Sequence, residues 1–484
     1  MARSASLLSD ATAETALAPA MLSLTLPGFA LGSFVIGIAA TATAAASTAP
    51  TTDGNSDAAV AGPAARALGV TGAGIKIGIL SDSFNVLGGM AADVADGNLP
   101  AGVKILEEGP AGSHDEGRAM ADLIHRIAPG AQLLFHTATN GEADFAAGVS
   151  ALQAAGCNVI VDDVAYLNEP FFQAGGALDS AVSTAIADGV SYFTAAGNEG
   201  QDYIQLPFAP MRLTLPSLPA GAAVQNFGSA TAPQPWLDVI VPPQGECLLD
   251  LQWSQPIAGN ADSLGMALFD SAGHIVASAS GDLAGTMPDQ ILHFTNTGAD
   301  TAFRLVLYAN GGTVPPALFK IISYGNGSIS SPAAGQGSGS VMGHELLPGV
   351  NTVGAVNYAN TPAFGGTPTP EGFSSVGSGS LLFDAAGTPL TLAQSASKVD
   401  FLAPDGSMTS TLAPFFGTSA ATANAAGVAA LVLQADPTLT PAEMSQVLRA
   451  SALPVGGSAN AVGAGLIQAD TAVRLALGLA RTAA

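Results

Sequence analysis

Gly417-Thr418-Ser419 stands at the head of a run made almost wholly of small residues, Ala421–Leu433. A glycine just ahead of a serine lets the backbone turn tightly and brings other groups close to the hydroxyl. Ala425, Ala426, Gly427, Ala429 and Ala430 leave the run without a polar face, so it reads as a helix deep inside a domain. At the N-terminus of such a helix, free N–H groups and the positive dipole end favour developing negative charge. A hydroxyl placed there can attack a carbonyl if a base takes its proton. In its plainest role the same serine would only cap the helix.

The remaining chemistry-bearing residues sit where apolar stretches end. Ile75–Leu80 runs into Ser81-Asp82-Ser83, Asn158–Val161 into Asp162-Asp163, and Val190–Ala195 into Ala196-Gly197-Asn198-Glu199-Gly200. Between these strands, Glu116–Ile127, Ala143–Ala155 and Ala177–Ala187 read as helices, with a further strand at Gln132–Thr137. Continuous apolar strands alternating with helices predict a doubly wound parallel α/β sheet with helices on both faces. In such sheets reactive groups gather at the carboxyl ends of strands.

From residue 206 the helical period disappears. Leu248–Trp253, Met266–Asp270, Ile291–Asn296, Phe303–Tyr308 and Leu318–Tyr324 read as strands between Gly, Asn, Asp and Pro turns. We therefore expect an all-β sandwich insertion over 206–336, interrupting an α/β domain formed by 61–205 and 337–484. Trp236, Trp253 and Tyr308 read as its core, with a carbohydrate-binding face as the weaker alternative. Residues 1–60 form an Ala-rich leader in which the apolar Met21–Ala39 precedes small residues, as in an export signal. That places the protein outside the cytoplasm; a plain disordered leader is the alternative. No stable membrane span is expected.

Only 10% of the residues are charged, with 58 Gly and 31 Pro, which describes a loop-rich globular protein with a large apolar core. The net charge of −24 argues against nucleic acid or an anionic membrane as partner. Cys157 and Cys247 are read as free buried thiols, and no Cys/His spacing suggests zinc.

These landmarks resemble the subtilisin/sedolisin superfamily of serine peptidases, over roughly residues 65–205 and 337–475. Gly417-Thr418-Ser419 is similar to its nucleophile motif and Ala195–Gly200 to its oxyanion motif. Asn351–Val356, Phe373–Gly377, Asp400–Gly406 and Gly463–Ile467 resemble later landmarks in the family's order. The resemblance implies hydrolysis of protein or peptide substrates through an acyl-enzyme on Ser419. Where subtilisins place a catalytic histidine, twelve residues ahead of Ala128, this chain has Glu116, followed by Gly117. Sedolisins use a glutamate there, so the resemblance implies Glu116 as general base. Their acid four residues further on is replaced by Met120. Asp82 matches the subtilisin aspartate and Asn198 the subtilisin oxyanion residue, giving a mosaic site.

A carboxylate is a weak base at neutral pH unless desolvated or placed beside another carboxylate. We expect Asp82 to share a proton with Glu116, and Asn198 with the Ser419 N–H to bind the oxyanion. Asp163 and Gly197 are expected along the substrate groove, Asp163 as a third carboxylate, though structural roles for Asp162 and Asp163 are favoured. The alternative base is His114, with Glu116 only complementing the helix dipole. His125, His136 and His344 read as packing or surface residues, and His274 and His293 fall in the sandwich. No cofactor is expected, and no acidic spacing supports calcium. The runner-up function is a catalytically silent peptide- or polymer-binding protein, and a third is hydrolysis of a non-peptide ester or amide.

Overall fold

The structure, a computed structural model, describes residues 35–37 and 52–478 except 214, 216, 261–262, 282–285, 310–317, 331–338 and 397. The leader expected over 1–60 thus lies mostly outside the described residues. Its last part is folded: Asn55–Ala59 is helical, and Val60 is buried in the main core.

Seven strands form one parallel sheet. They are β1 (Lys76–Ser81), β2 (Lys104–Glu107), β3 (Gln132–Thr137), β4 (Val159–Asp162), β5 (Ser191–Ala195), β6 (Asn351–Asn357) and β7 (Phe401–Asp405). Their order across the sheet is β7-β6-β5-β4-β1-β3-β2. Successive side chains of a strand point to opposite faces, and the two faces carry different helices. Ile77, Ile79, Val159, Val161, Phe193 and Val353 pack on α1 (Glu116–Ile127) and α4 (Thr418–Ala435). Leu80, Ile160 and Tyr192 pack on α2 (Glu142–Ala154) and α3 (Ala177–Ala187). Every residue from Thr418 to Leu433 is buried, as the all-small sequence of α4 requires.

Two antiparallel sheets occupy the stretch from Tyr203 to Ser330. Leu249, Leu251, Trp253 and Phe319 of one face Met266, Leu268, Leu305 and Leu307 of the other in a shared core. Trp253 and Tyr308 are buried, as their core reading required, while Trp236 stacks under the Arg304 guanidinium at 4.6 Å. The first sheet docks on the α/β part through Tyr203, Ile322 and Tyr324 against Ala165, Phe171, Phe172 and Met342. Lys320 is buried at this seam, its ammonium 3.2 Å from the Val341 carbonyl and 5.1 Å from the Phe171 ring. Both cysteines are free and buried. Among the described residues no helix is long and apolar enough to cross a membrane.

Candidate active site

Ser419 is the second residue of α4, whose N-cap Gly417 has φ 123°, a backbone that only glycine adopts freely. Asp405, at the end of β7, accepts the Gly417 N–H at 3.0 Å and so fixes this turn. The Ser419 side chain is buried.

Glu116 is the first residue of α1, and Asp82 shapes the turn that precedes it. The Asp82 carboxylate accepts the backbone N–H groups of Ser83, of His114 at 2.6 Å and of Glu116 at 2.8 Å. Next to it, the buried Asp115 adopts φ 58°. Its carboxylate accepts the Ser83 hydroxyl at 2.9 Å and the Val86 N–H at 2.8 Å, and it pairs with the buried Arg118 at 3.1 Å. The helix that carries Glu116 is therefore anchored by two acids on backbone donors.

From this position the Glu116 carboxyl hydrogen-bonds both the Ser419 side chain and Asp163. Asp163 in turn accepts the Ser81 hydroxyl at 3.1 Å. Taken as ionised, Glu116 Oε1 and Asp163 Oδ1 are buried acceptors without a donor; one proton held between the two acids supplies it. Burial pushes Glu116 well above the usual carboxylate range, and the charges of Asp163 and Asp82 push the same way. Burial likewise raises Asp163, against the Ser81 hydrogen bond. Asp82 is raised by burial too, with its backbone donors pulling it down. The hydrogen-bonded acid pair is thus Glu116–Asp163 rather than the expected Glu116–Asp82, because backbone donors hold the Asp82 oxygens.

Asn198 Oδ1 accepts both the N–H and the hydroxyl of Thr418, each at 3.0 Å. An N–H must meet an oxygen, so these contacts assign the amide and leave Nδ2 facing Gly417. A Cβ placed on Gly417 would lie 3.4 Å from Asn198 Nδ2 and 3.8 Å from the Ser419 nitrogen. The Asn198 amide nitrogen and the Ser419 backbone nitrogen therefore both lie close to Gly417. Gly197 has φ 94°, and a side chain there would run into the Glu199 carboxylate.

Residues 271–465 match the model of the subtilase family. The CspB protease of Clostridium perfringens superposes with a TM-score of 0.56 at 13% identity, over 88% of this chain and 98% of that one. The chain has the subtilase fold. MycP1 from Mycobacterium smegmatis aligns at 16% identity over 91% of this chain and 90% of its own, with a TM-score of 0.40. The self-cleaved protease domain of PatA aligns at 18% identity over 84% and 98%, with a TM-score of 0.39. No curated protein sequence matches the chain.

Within this subtilase fold, the antiparallel sheets are an insertion between the strand leading to Asn198 and the strands leading to Ser419. His114 has an exposed side chain and contributes its backbone N–H to Asp82; the hydroxyl of Ser419 meets Glu116. Directly after Asp163, the short strand Val164–Tyr166 pairs antiparallel with Val35–Gly37 of the same chain.

The sequence reading missed a second polar cluster. His344, expected as a packing or surface residue, is fully buried between Glu169 (Nδ1, 2.8 Å) and Asp162 (Nε2, 3.3 Å). Thr194 donates its hydroxyl to the same Asp162 oxygen at 2.7 Å. Burial alone would lower the His344 pKa, but the charges of Glu169 and Asp162 raise it well above the usual value. No local motif announces this cluster, since residues 162, 169 and 344 meet only through the fold.

Proposed function

We propose that this chain is a serine endopeptidase in which Ser419 is the nucleophile and Glu116, paired with Asp163, is the general base. The observation that supports it is the hydrogen bond from Ser419 to a buried glutamate whose other partner is a second acid. With the shared proton on Asp163, Glu116 is free to take the Ser419 proton as the oxygen attacks the peptide carbonyl. The resulting tetrahedral oxyanion would accept from Asn198 Nδ2 and the Ser419 N–H, donors that already flank Gly417. Collapse expels the amine, which takes the proton from Glu116; water then repeats the sequence on the acyl-enzyme. Asp82 positions Glu116 through its backbone and, by its charge, keeps the pair protonated. An extended substrate would pair its backbone with Val164–Tyr166, as Val35–Gly37 does.

This base requires one proton in the pair. Activity is lost in strong acid, where both acids are protonated, and again as pH rises through the raised upper pKa, where both ionise beside Asp82. The test is labelling of Ser419 by a fluorophosphonate, with peptide hydrolysis, from acid to neutral pH in wild type and Glu116→Gln. A bell-shaped profile in wild type and loss of labelling in the variant are expected. Folded wild-type protein that stays unlabelled at every pH overturns the enzyme reading in favour of a silent binding protein.

A further inference from the structure

We propose that Glu107, His136 and Asp144 bind one first-row divalent cation, with zinc as the best fit, at the edge of the sheet. The three come from the end of β2, the end of β3 and the first turn of α2, and one ligand atom of each lies within 4.8 Å of the others. His136 is only 5% exposed. Its Nδ1 lies 2.7 Å from the Thr137 carbonyl oxygen. A carbonyl only accepts, so Nδ1 carries a proton, and Nε2 is the ring nitrogen that faces the carboxylates. Nε2 is 3.5 Å from Glu107 Oε2, while Asn140 donates to the other Glu107 oxygen at 2.9 Å. Asp144 Oδ2 is buried without a hydrogen-bond partner.

A tetrahedral ion bound at about 2.1 Å holds its ligand atoms about 3.4 Å apart, close to the Nε2–Oε2 separation observed. One imidazole with two carboxylates suits zinc, cobalt or manganese better than calcium, which takes oxygen ligands alone. Three protein ligands, with Glu107 half-exposed, leave the fourth position to water. The neighbouring Thr137 hydroxyl donates to the Asp82 carbonyl at 2.8 Å, so the ion would tie the edge strand β2 to the strand end that backs Asp82. Its role is structural, and the proposal stands apart from the peptidase reading.

The experiment uses full-length protein, stripped with chelator and dialysed, and titrated with Co2+ and Zn2+ by absorption and calorimetry. One equivalent of Co2+ per chain is expected, with the d–d spectrum of a tetrahedral site, displaced by Zn2+, and a higher melting temperature with either ion. Glu107→Gln, at an exposed position, should fold as wild type yet bind at least about 10-fold more weakly, and His136→Gln likewise. Absence of stoichiometric binding, meaning that His136 and Glu107 form only an ion pair, overturns the proposal. So does binding that Glu107→Gln leaves unchanged.

Discussion

Asp162 and Asp163 are neighbours in the chain, yet they serve opposite faces of the sheet. Val159 and Val161 point toward α1 and α4, and Asp163 continues that side, meeting Glu116, which in turn hydrogen-bonds Ser419. Ile160 points toward α2 and α3, and Asp162 continues that side, meeting His344 and Thr194. One cluster is two acids and a hydroxyl; the other is an imidazole held between two acids. The buried imidazole of His344 lies across the sheet from the Ser419 hydroxyl. Which acid joins Glu116 is therefore decided by strand alternation, and a one-residue slip of β4 would exchange them.

The contrast is broken most directly by removing one base at a time. Glu116→Gln should lower kcat by about 10⁴-fold or more, because base and nucleophile act as a unit, whereas His344→Gln should leave the kcat of folded enzyme within a few-fold. Comparable losses from both, measured on protein shown to be folded, would mean that the buried histidine reaches the chemistry. Asn198→Ala should cost about 10²–10³ in kcat with little change in KM.

Asp163→Asn sharpens the comparison. Its charge raises Glu116, and in the proposed site that charge appears only as pH rises through the upper pKa, so the variant should remove the alkaline limb of the kcat profile and reduce kcat by about 10²-fold. An unmoved limb would separate the two acids. On the other face, His344→Gln leaves Asp162 and Glu169 buried without their cation, costing about 3 kcal/mol at neutral pH, a cost that shrinks as pH rises through the raised His344 pKa, where the wild type loses that cation too. Urea unfolding at two pH values reads this directly.

The smallest effect per residue is spread over many groups. Glu142 and Glu199 are raised to about 7, and Asp122, Asp179 and Asp289 to about 6, with burial the leading cause in each. An acid whose folded pKa is raised contributes stability that is present below its unfolded value and lost as pH rises through the folded value. Lys320, lowered to about 7 by burial, works the other way. The melting temperature should therefore be highest in mild acid and fall as pH rises from about 4 to 7; a flat or rising profile would mean that these acids are hydrated in solution.

The residues whose environment is local were the legible ones. Helix Glu116–Ile127 and strand Gln132–Thr137 lie where apolar periodicity puts them, and Gly417 with the small residues of α4 announced a buried serine. The β-insertion was readable from its alternation and turns. Strand Lys104–Glu107 was not, because three of its four residues are exposed and nothing alternates. The Asp163 partnership was hidden for a different reason. Choosing between Asp82 and Asp163 requires knowing that backbone donors already hold Asp82, and that depends on the φ 58° turn at Asp115. His136 and His344 looked inert in sequence because their acidic neighbours arrive from distant strands and loops.

Arg118, Lys320 and Lys398 are buried, and the chain has 13 lysines and arginines against 37 acids. Among the described residues twelve acids are buried as well, yet the excess of acids is large enough that solvent still meets a negative shell. At neutral pH, long-range attraction should draw cationic peptides toward it and repel acidic ones, an effect on encounter rate that added salt erases.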